Sequence, residues 1–390
     1  MNQTSTLTSA VPAATLPTGQ CVVIKVGTST LMGPHGPDQA LMGRLADVLS
    51  QLISSGNRVV LVSSGAVGTG CWRLGDNGEM RSVPEKQAAA AAVGQGILMH
   101  LYDRAFAERG LMSAQLLLTR ADLAIRQRYI NAKNTLSVLL SSDAPVIPIV
   151  NENDSVTVEE ITFGDNDNLS ALVADLVGAD RLFILSDVDG LYDADPRRNP
   201  EAKRLSRVAC ITPDIEALAG GAGSSMGTGG MATKVAAARI ATACGIPMVL
   251  LDGQHPELVI ESLSGGEVGT TFEAGPCMYE GRKRWMAFNG LVSGTLTIDE
   301  GAAHAIREGG GSLLPAGVRK LTGEFQPGDL VTLVDEDGHE VARGLVNYST
   351  EQLMRIRGYQ GEEIAQILGH LPHDEAVHRK NMVVTFPLAM

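Results

Sequence analysis

Cys21-Val-Val-Ile-Lys-Val26 runs straight into Gly27-Thr-Ser-Thr30, and the reading of this junction decides the fold. Five apolar residues in six, most of them β-branched, make a strand buried on both faces, and the glycine ends it. The same unit recurs as RVVLVSS (58–64), LMSAQLLLT (111–119), APVIPIV (144–150), RLFILS (181–186) and IPMVLLD (246–252). Each reads as a buried strand. Longer stretches between them predict helices over Gln39–Ser54, Pro84–Arg109, Arg128–Ser141, Asn168–Gly178 and Met231–Cys244. Strands alternating with helices specify an α/β fold, a mostly parallel sheet sandwiched by helices. Ligands in such sheets gather at the carboxyl ends of the strands, so the loops that follow the strands are where function is to be sought.

The chain has 390 residues, comfortable for two domains, with 44% hydrophobic and 19% charged residues. Its first twenty residues lack the basic and apolar regions of a signal peptide, and residues 1–19 read as a disordered tail. No apolar run approaches the roughly 18 residues of a membrane helix. Five scattered cysteines without a CxxC pair point to reduced thiols and a cytoplasmic protein. A formal charge of −13 argues against broad nucleic-acid binding, although a local cationic site is enough for an anionic ligand. Near residue 275 the pattern changes to period-two runs split by Asp-Gly-type turns, the mark of a small β-rich domain. The expected division is a catalytic α/β domain over 20–274, a β-rich domain over 281–370 and an extension over 371–390.

Four strand ends carry polar clusters. Lys25 lies inside its strand just before Gly27, where a lysine is costly unless paired or functional. An edge lysine that snorkels to solvent is the competing reading, and the local sequence leaves both open. Ser63-Ser-Gly-Ala-Val-Gly-Thr-Gly70 has its glycines as GxxGxG, not the GxGxxG of a dinucleotide loop, and reads as a close-approach turn that presents Ser64. Asn151-Glu-Asn-Asp154 and Phe163-Gly-Asp-Asn-Asp-Asn168 bracket SVTVEEIT, which alternates like one short hairpin. Turn and N-cap chemistry would explain one such cluster. Two of them favour a polar ligand with amine and carboxylate groups, or a metal–phosphate site. The fourth loop, Ser186-Asp-Val-Asp-Gly-Leu-Tyr-Asp-Ala-Asp-Pro196, holds four aspartates but has Arg198 where a calcium loop needs glutamate, so it reads as the edge of a nucleotide pocket.

Further along, Gly220–Lys234 (GGAGSSMGTGGMATK) packs six glycines ahead of one lysine and then enters a helix. Glycine admits close backbone approach, and a helix N-terminus offers free N–H groups to phosphate. It is no Walker A loop, because Lys234 follows Thr233 and precedes Val235; the alternative is a flexible linker. Histidine and cysteine avoid all these loops: only His35, His100 and His255 precede residue 300. Lysines, hydroxyls and glycine backbone suit phosphoryl transfer, where positioning and charge stabilisation dominate. A carboxylate acceptor would need no base, being ionised at pH 7 with a pKa near ~4.3.

Taken in order, VVIKVGTSTL, VLVSSGAVGTG, LLLTRAD, NENDSV, FGDNDNLSALVA, GLYDADPR and GTGGMATK resemble the amino acid kinase family, and the segment from RKRW to HRKNMV resembles a PUA domain. Together they cover the chain from about residue 20 to its C-terminus. The resemblance implies ATP-dependent phosphorylation of the γ-carboxylate of L-glutamate with Mg²⁺ on the ATP phosphates, the first step of proline biosynthesis. Family members acting on acetylglutamate or aspartate share the lysines and glycines but not the C-terminal segment, and remain the alternative. It puts Lys25 and Lys234 on the transferring phosphoryl group with Asp167 orienting them, and no protein side chain on the metal. It assigns glutamate to Ser64, Asp154 and Asn166. Nucleotide contacts fall on Lys25, Ser186, Asp187, Thr228, Gly229, Gly230, Met231, Ala232, Thr233 and Lys234. It further implies inhibition by proline, a homo-oligomer, and hand-over of product to glutamyl phosphate reductase. RNA binding by the PUA-like domain is not expected, since residues 281–390 hold eleven Lys/Arg against fourteen Asp/Glu.

Overall fold

A computed structural model describes residues 16–384 apart from 77, 81–82, 157–165, 221–229, 276–281 and 370–372. The strands are β1 (Cys21–Val26), β2 (Met32–Gly33), β3 (Gly36–Pro37), β4 (Arg58–Ser63), β5 (Met112–Leu118), β6 (Val146–Glu152), β7 (Arg181–Ser186), β8 (Leu191–Tyr192), β9 (Arg204–Leu205), β10 (Arg207–Val208), β11 (Met248–Asp252) and β12 (Thr270–Phe272). Helices α1 (Thr28–Leu31), α2 (Gln39–Ser54), α3 (Ala66–Leu74), α4 (Pro84–Ala107), α5 (Arg120–Ala124), α6 (Arg126–Leu140), α7 (Asn166–Val177), α8 (Pro213–Ala219), α9 (Met231–Ala243) and α10 (Leu258–Leu263) alternate with them.

Eight strands form one sheet in the order β10-β12-β11-β7-β1-β4-β6-β5. Its pairs are parallel except β11 with β12. Side chains alternate across the sheet and build a core on each face. Val23, Val62 and Ile184 pack with α6, α7 and α9, while Ile24, Leu61 and Phe183 pack with α2 and α4. This is the mostly parallel, helix-covered α/β sheet expected. β5 departs from its reading as a buried strand: it lies at the sheet edge, and Met112 is 46% exposed. Edge position follows from long-range pairing and leaves no mark on the strand's own composition.

The glycines after β4 do two separate jobs. Gly65 turns the chain at φ 97°, a conformation costly for any other residue. Gly70 is helical: a Cβ there would sit 1.8 Å from the Ala90 carbonyl oxygen, and one on Gly94 would sit 1.9 Å from that of Ala66. α3 and α4 therefore touch backbone to backbone, which pins α4 behind the carboxyl end of β4.

A second sheet holds β13 (Val292–Ile298), β14 (Val318–Gly323), β15 (Leu330–Val334), β16 (Glu340–Val346) and β17 (Val377–Val384) in the order β14-β13-β15-β16-β17, with its own core around Leu296, Phe325, Leu333 and Tyr348. A π-helical turn, Trp285–Asn289, joins it to the first sheet's layer. Trp285 Nε1 donates to the Leu123 carbonyl at 3.0 Å, Arg343 Nη1 donates to the Ala287 carbonyl at 2.8 Å, and Arg284 pairs with buried Asp175 of α7 at 3.0 Å.

Candidate active site

β1 lies in the middle of the sheet between β7 and β4, so Lys25, 4% exposed, has no route to solvent along an edge. That excludes the snorkelling reading. Its Nζ meets Asp167 Oδ1 at 2.5 Å, and Lys234 Nζ meets Asp167 Oδ2 at 3.2 Å. Asp167 is fully buried and Lys234 is 5% exposed. One carboxylate thus bridges two ammonium groups that stand 209 residues apart in the sequence. Thr233 Oγ1 donates to the same Oδ2 at 3.0 Å, so this residue, read as a nucleotide contact, also belongs to the lysine cluster. The cluster carries a surplus positive charge in a buried place, a setting that attracts an anion.

α7 begins at Asn166, two residues earlier than its periodicity suggested, which puts Asn166 and Asp167 in its first turn. An acidic side chain is favourable there because the helix dipole is positive at that end. Asn166 Nδ2 lies 2.8 Å from Ser64 Oγ, 3.1 Å from the Ser63 carbonyl and 3.0 Å from Asn151 Oδ1. Ser64 and Asn166, both expected to meet substrate, are therefore neighbours, and Asn166 sits one residue from the lysine bridge. Behind them, Tyr102 meets Ser63 Oγ at 3.0 Å and Gln95 accepts from Asn151 at 2.8 Å. Neither α4 residue carried a signal in the sequence, since an Ala/Gly-rich helix gives little sign of which face it buries.

Asp154 follows β6 by two residues. Burial pushes its carboxyl up to about 6, because the charged form loses hydration there. Such a group gains when a cation arrives to pair with it.

On the other side of Lys234 lies a cavity of about 560 Å³, bounded by the loop after β7 (Asp187–Tyr192), by Ala219, by Gly230 and Met231, and by Asp252 at the end of β11. Met231 to Lys234 form the first turn of α9, whose free N–H groups suit phosphate. Asp187 lines this cavity, and Ser186 donates to it at 3.0 Å. Ala232 is exposed beside them. Asp252 was not singled out from sequence, where it looks like any strand-terminal acid. Thr228, Gly229 and most of the SVTVEEIT hairpin lie outside the described residues. The site thus has a hydrogen-bonded polar cluster of Ser64, Asn151 and Asn166 and a cavity at Asp187–Met231, with Lys234 lining the cavity and the Asp167 bridge one residue from the cluster.

The family model for the amino acid kinase family matches residues 20–252, and that for the PUA domain matches residues 294–368. A glutamate 5-kinase from Moorella thermoacetica is 51% identical over 366 residues, which is 93% of this chain and 96% of the relative. A glutamate 5-kinase from a Synechococcus species is 50% identical over 371 residues, 95% of this chain and 100% of the relative. One from Geobacter sulfurreducens is 48% identical over 364 residues, 93% and 97% respectively. With the first match covering most of the large sheet and the second most of the small one, the chain belongs to the amino acid kinase family, carries a PUA domain and is similar over nearly its whole length to these glutamate 5-kinases.

Proposed function

We propose that this protein transfers the γ-phosphoryl group of ATP to the γ-carboxylate of L-glutamate, giving L-glutamyl 5-phosphate, the first step of proline biosynthesis. The observation that carries the reading is the single carboxylate of Asp167 bridging Lys25 and Lys234, with the Asp187–Met231 cavity against Lys234 and the Ser64–Asn166 cluster one residue from the bridge. A phosphoryl group also offers two oxygens to two donors at once, and in its transition state it spreads negative charge over its oxygens. Fixed ammonium groups stabilise that charge without reorganising. In this reading ATP fills the cavity at Asp187 and Met231, with Gly230, Ala232 and Thr233 beside it, and Thr228 and Gly229 are nucleotide contacts on the family resemblance alone. Glutamate takes the pocket of Ser64, Asn166 and Asp154, its ammonium facing the Asp154 carboxylate. Its γ-carboxylate attacks as it stands, so the lack of a histidine base is no obstacle.

Both Asp167 oxygens are engaged by Lys25, Lys234 and Thr233, which leaves this carboxylate poorly suited to hold a metal. Mg²⁺ fits instead as a passenger on the ATP phosphates, where it neutralises charge. The remainder of the reading is a cytoplasmic homo-oligomer, inhibited by proline, that hands its labile acyl phosphate to glutamyl phosphate reductase, with domains divided at 274–281. The four cysteines among the described residues form no disulfide, in keeping with a reducing compartment. No described helix is long and apolar enough to cross a membrane.

Glutamate-dependent release of ADP by the purified chain tests the assignment. Turnover of acetylglutamate or aspartate equal to that of glutamate would overturn it. A pH dependence is also expected. Asp154 must be ionised to hold the ammonium, so kcat/KM for glutamate should fall below pH about 6, approaching ~10-fold per pH unit as the ionised fraction shrinks. KM for ATP should stay level over the same range. Asp154→Asn should raise the glutamate KM at pH 7.5 and abolish the inflection; an inflection that survives the substitution would assign it to another group.

A further inference from the structure

α4 turns two polar side chains, two helical turns apart, toward the ends of β4 and β6. Tyr102 is fully buried and braces Ser63. Gln95 has a different environment, and the orientation of its amide can be deduced from its neighbours. The backbone N–H of Glu152 donates to Asn151 Oδ1 at 2.9 Å, which fixes that atom as the acceptor. Asn151 Nδ2 must then face Gln95, so the Gln95 atom at 2.8 Å is Oε1. Turning either amide round would set donor against donor or acceptor against acceptor.

This arrangement leaves Gln95 Nε2, a donor, buried without a partner among the described residues. Asn166 Oδ1, an acceptor in the same network, is left likewise. Buried amide atoms are normally satisfied, and two in one network at a substrate pocket call for ligand groups of opposite sense. An amino acid supplies both: an ammonium that only donates and an α-carboxylate that only accepts. Asn166 Oδ1 and Asp154 suit the ammonium, which leaves Gln95 Nε2 for the carboxylate.

We propose that Gln95 is a specificity-determining residue: its Nε2 donates to the α-carboxylate of the acceptor amino acid, while its Oε1 holds Asn151 and through it Asn166. The inference rests on the glutamate kinase reading above. Backbone contact of Gly94 with α3 gives Gln95 a fixed base for this task.

The test is steady-state kinetics on the full chain and two variants, with thermal melts alongside. Gln95→Glu keeps an acceptor for Asn151 but puts a carboxylate oxygen where the donor was. Gln95→Met keeps the length and removes the amide. Both should raise the glutamate KM, by roughly 10- to 100-fold for loss of a hydrogen bond to a charged group, with kcat and the ATP KM little changed; the melting temperature should hold in Gln95→Glu and fall in Gln95→Met, which leaves the buried Asn151 Nδ2 without its acceptor. 4-Aminobutyrate keeps the amine and the far carboxylate but lacks the α-carboxylate. Its inhibition constant against glutamate should stay within roughly twofold of the parent value in Gln95→Glu, which keeps the acceptor for Asn151, since the hydrogen bond lost has no partner in this ligand. An unchanged glutamate KM in both variants would overturn the proposal. Equal weakening of glutamate and 4-aminobutyrate in Gln95→Glu would do so too, leaving Gln95 only as a support for Asn151. A parent chain without glutamate turnover would instead refute the kinase assignment itself.

Discussion

Lys234→Ala should lower kcat by roughly 100- to 1000-fold while leaving a folded protein, the scale found when one preorganised donor is removed from a developing charge. Lys234 stands where the helix dipole of α9, the nucleotide cavity and the Asp167 bridge meet. Its ammonium is almost fully withdrawn from water, so the charge it offers a transferring phosphoryl group is little screened. Alanine is a good helix former, and the first turn of α9 should persist. The substitution also leaves Asp167 paired with Lys25 at 2.5 Å, so no buried carboxylate is stranded. Glutamate-dependent ADP release and a thermal melt on the same sample separate the two effects. Turnover within a few-fold of the parent would remove Lys234 from the chemistry. Lys234→Arg should rescue poorly, because a planar guanidinium cannot occupy the position of a compact ammonium against Asp167.

The parts of this site that were legible in sequence share a local cause. A lysine inside an apolar strand, a glycine tract ahead of a helix and paired Asn/Asp clusters each violate what a plain strand, helix or turn would choose. They mark positions without saying which of them meet. Lys25 had two readings until the strand order placed β1 centrally, and strand order arises from pairings between distant segments, up to 159 residues apart for Val22 with Arg181. Gln95 and Tyr102 were invisible for the opposite reason: glutamine and tyrosine on an alanine-rich helix break no local rule. Their role depends on Gly70 and Gly94 letting two helices cross at backbone distance, and those glycines sat in stretches that suggested a loop or an ordinary helix. Asp154 was legible as a candidate, but not its raised carboxyl, because desolvation depends on what packs over a turn.

Asp167→Asn should injure the fold as well as the chemistry, and the two losses should respond differently to ATP. With the carboxylate gone, Lys25 and Lys234 face each other across a neutral amide in a place closed to water. The new Nδ2 is itself a donor, so one of the two ammonium groups meets an N–H where it had an oxygen. Removing one partner of a buried ion pair costs about 3–5 kcal/mol, readable as a lower midpoint in urea. An anion delivered to the lysines should offset part of that cost, so saturating ATP should raise the melting temperature of the variant by more than it raises that of the parent. Turnover should stay low all the same, because the lysines would then be held by the nucleotide and not set beforehand for the transfer. The double substitution Lys25→Met with Asp167→Asn removes the like-charge conflict, and should be more stable than Asp167→Asn alone if the carboxylate holds the lysines together against their own repulsion. Equal stability of the single and double variants would mean that Asp167 anchors α7 for some reason other than its two lysines.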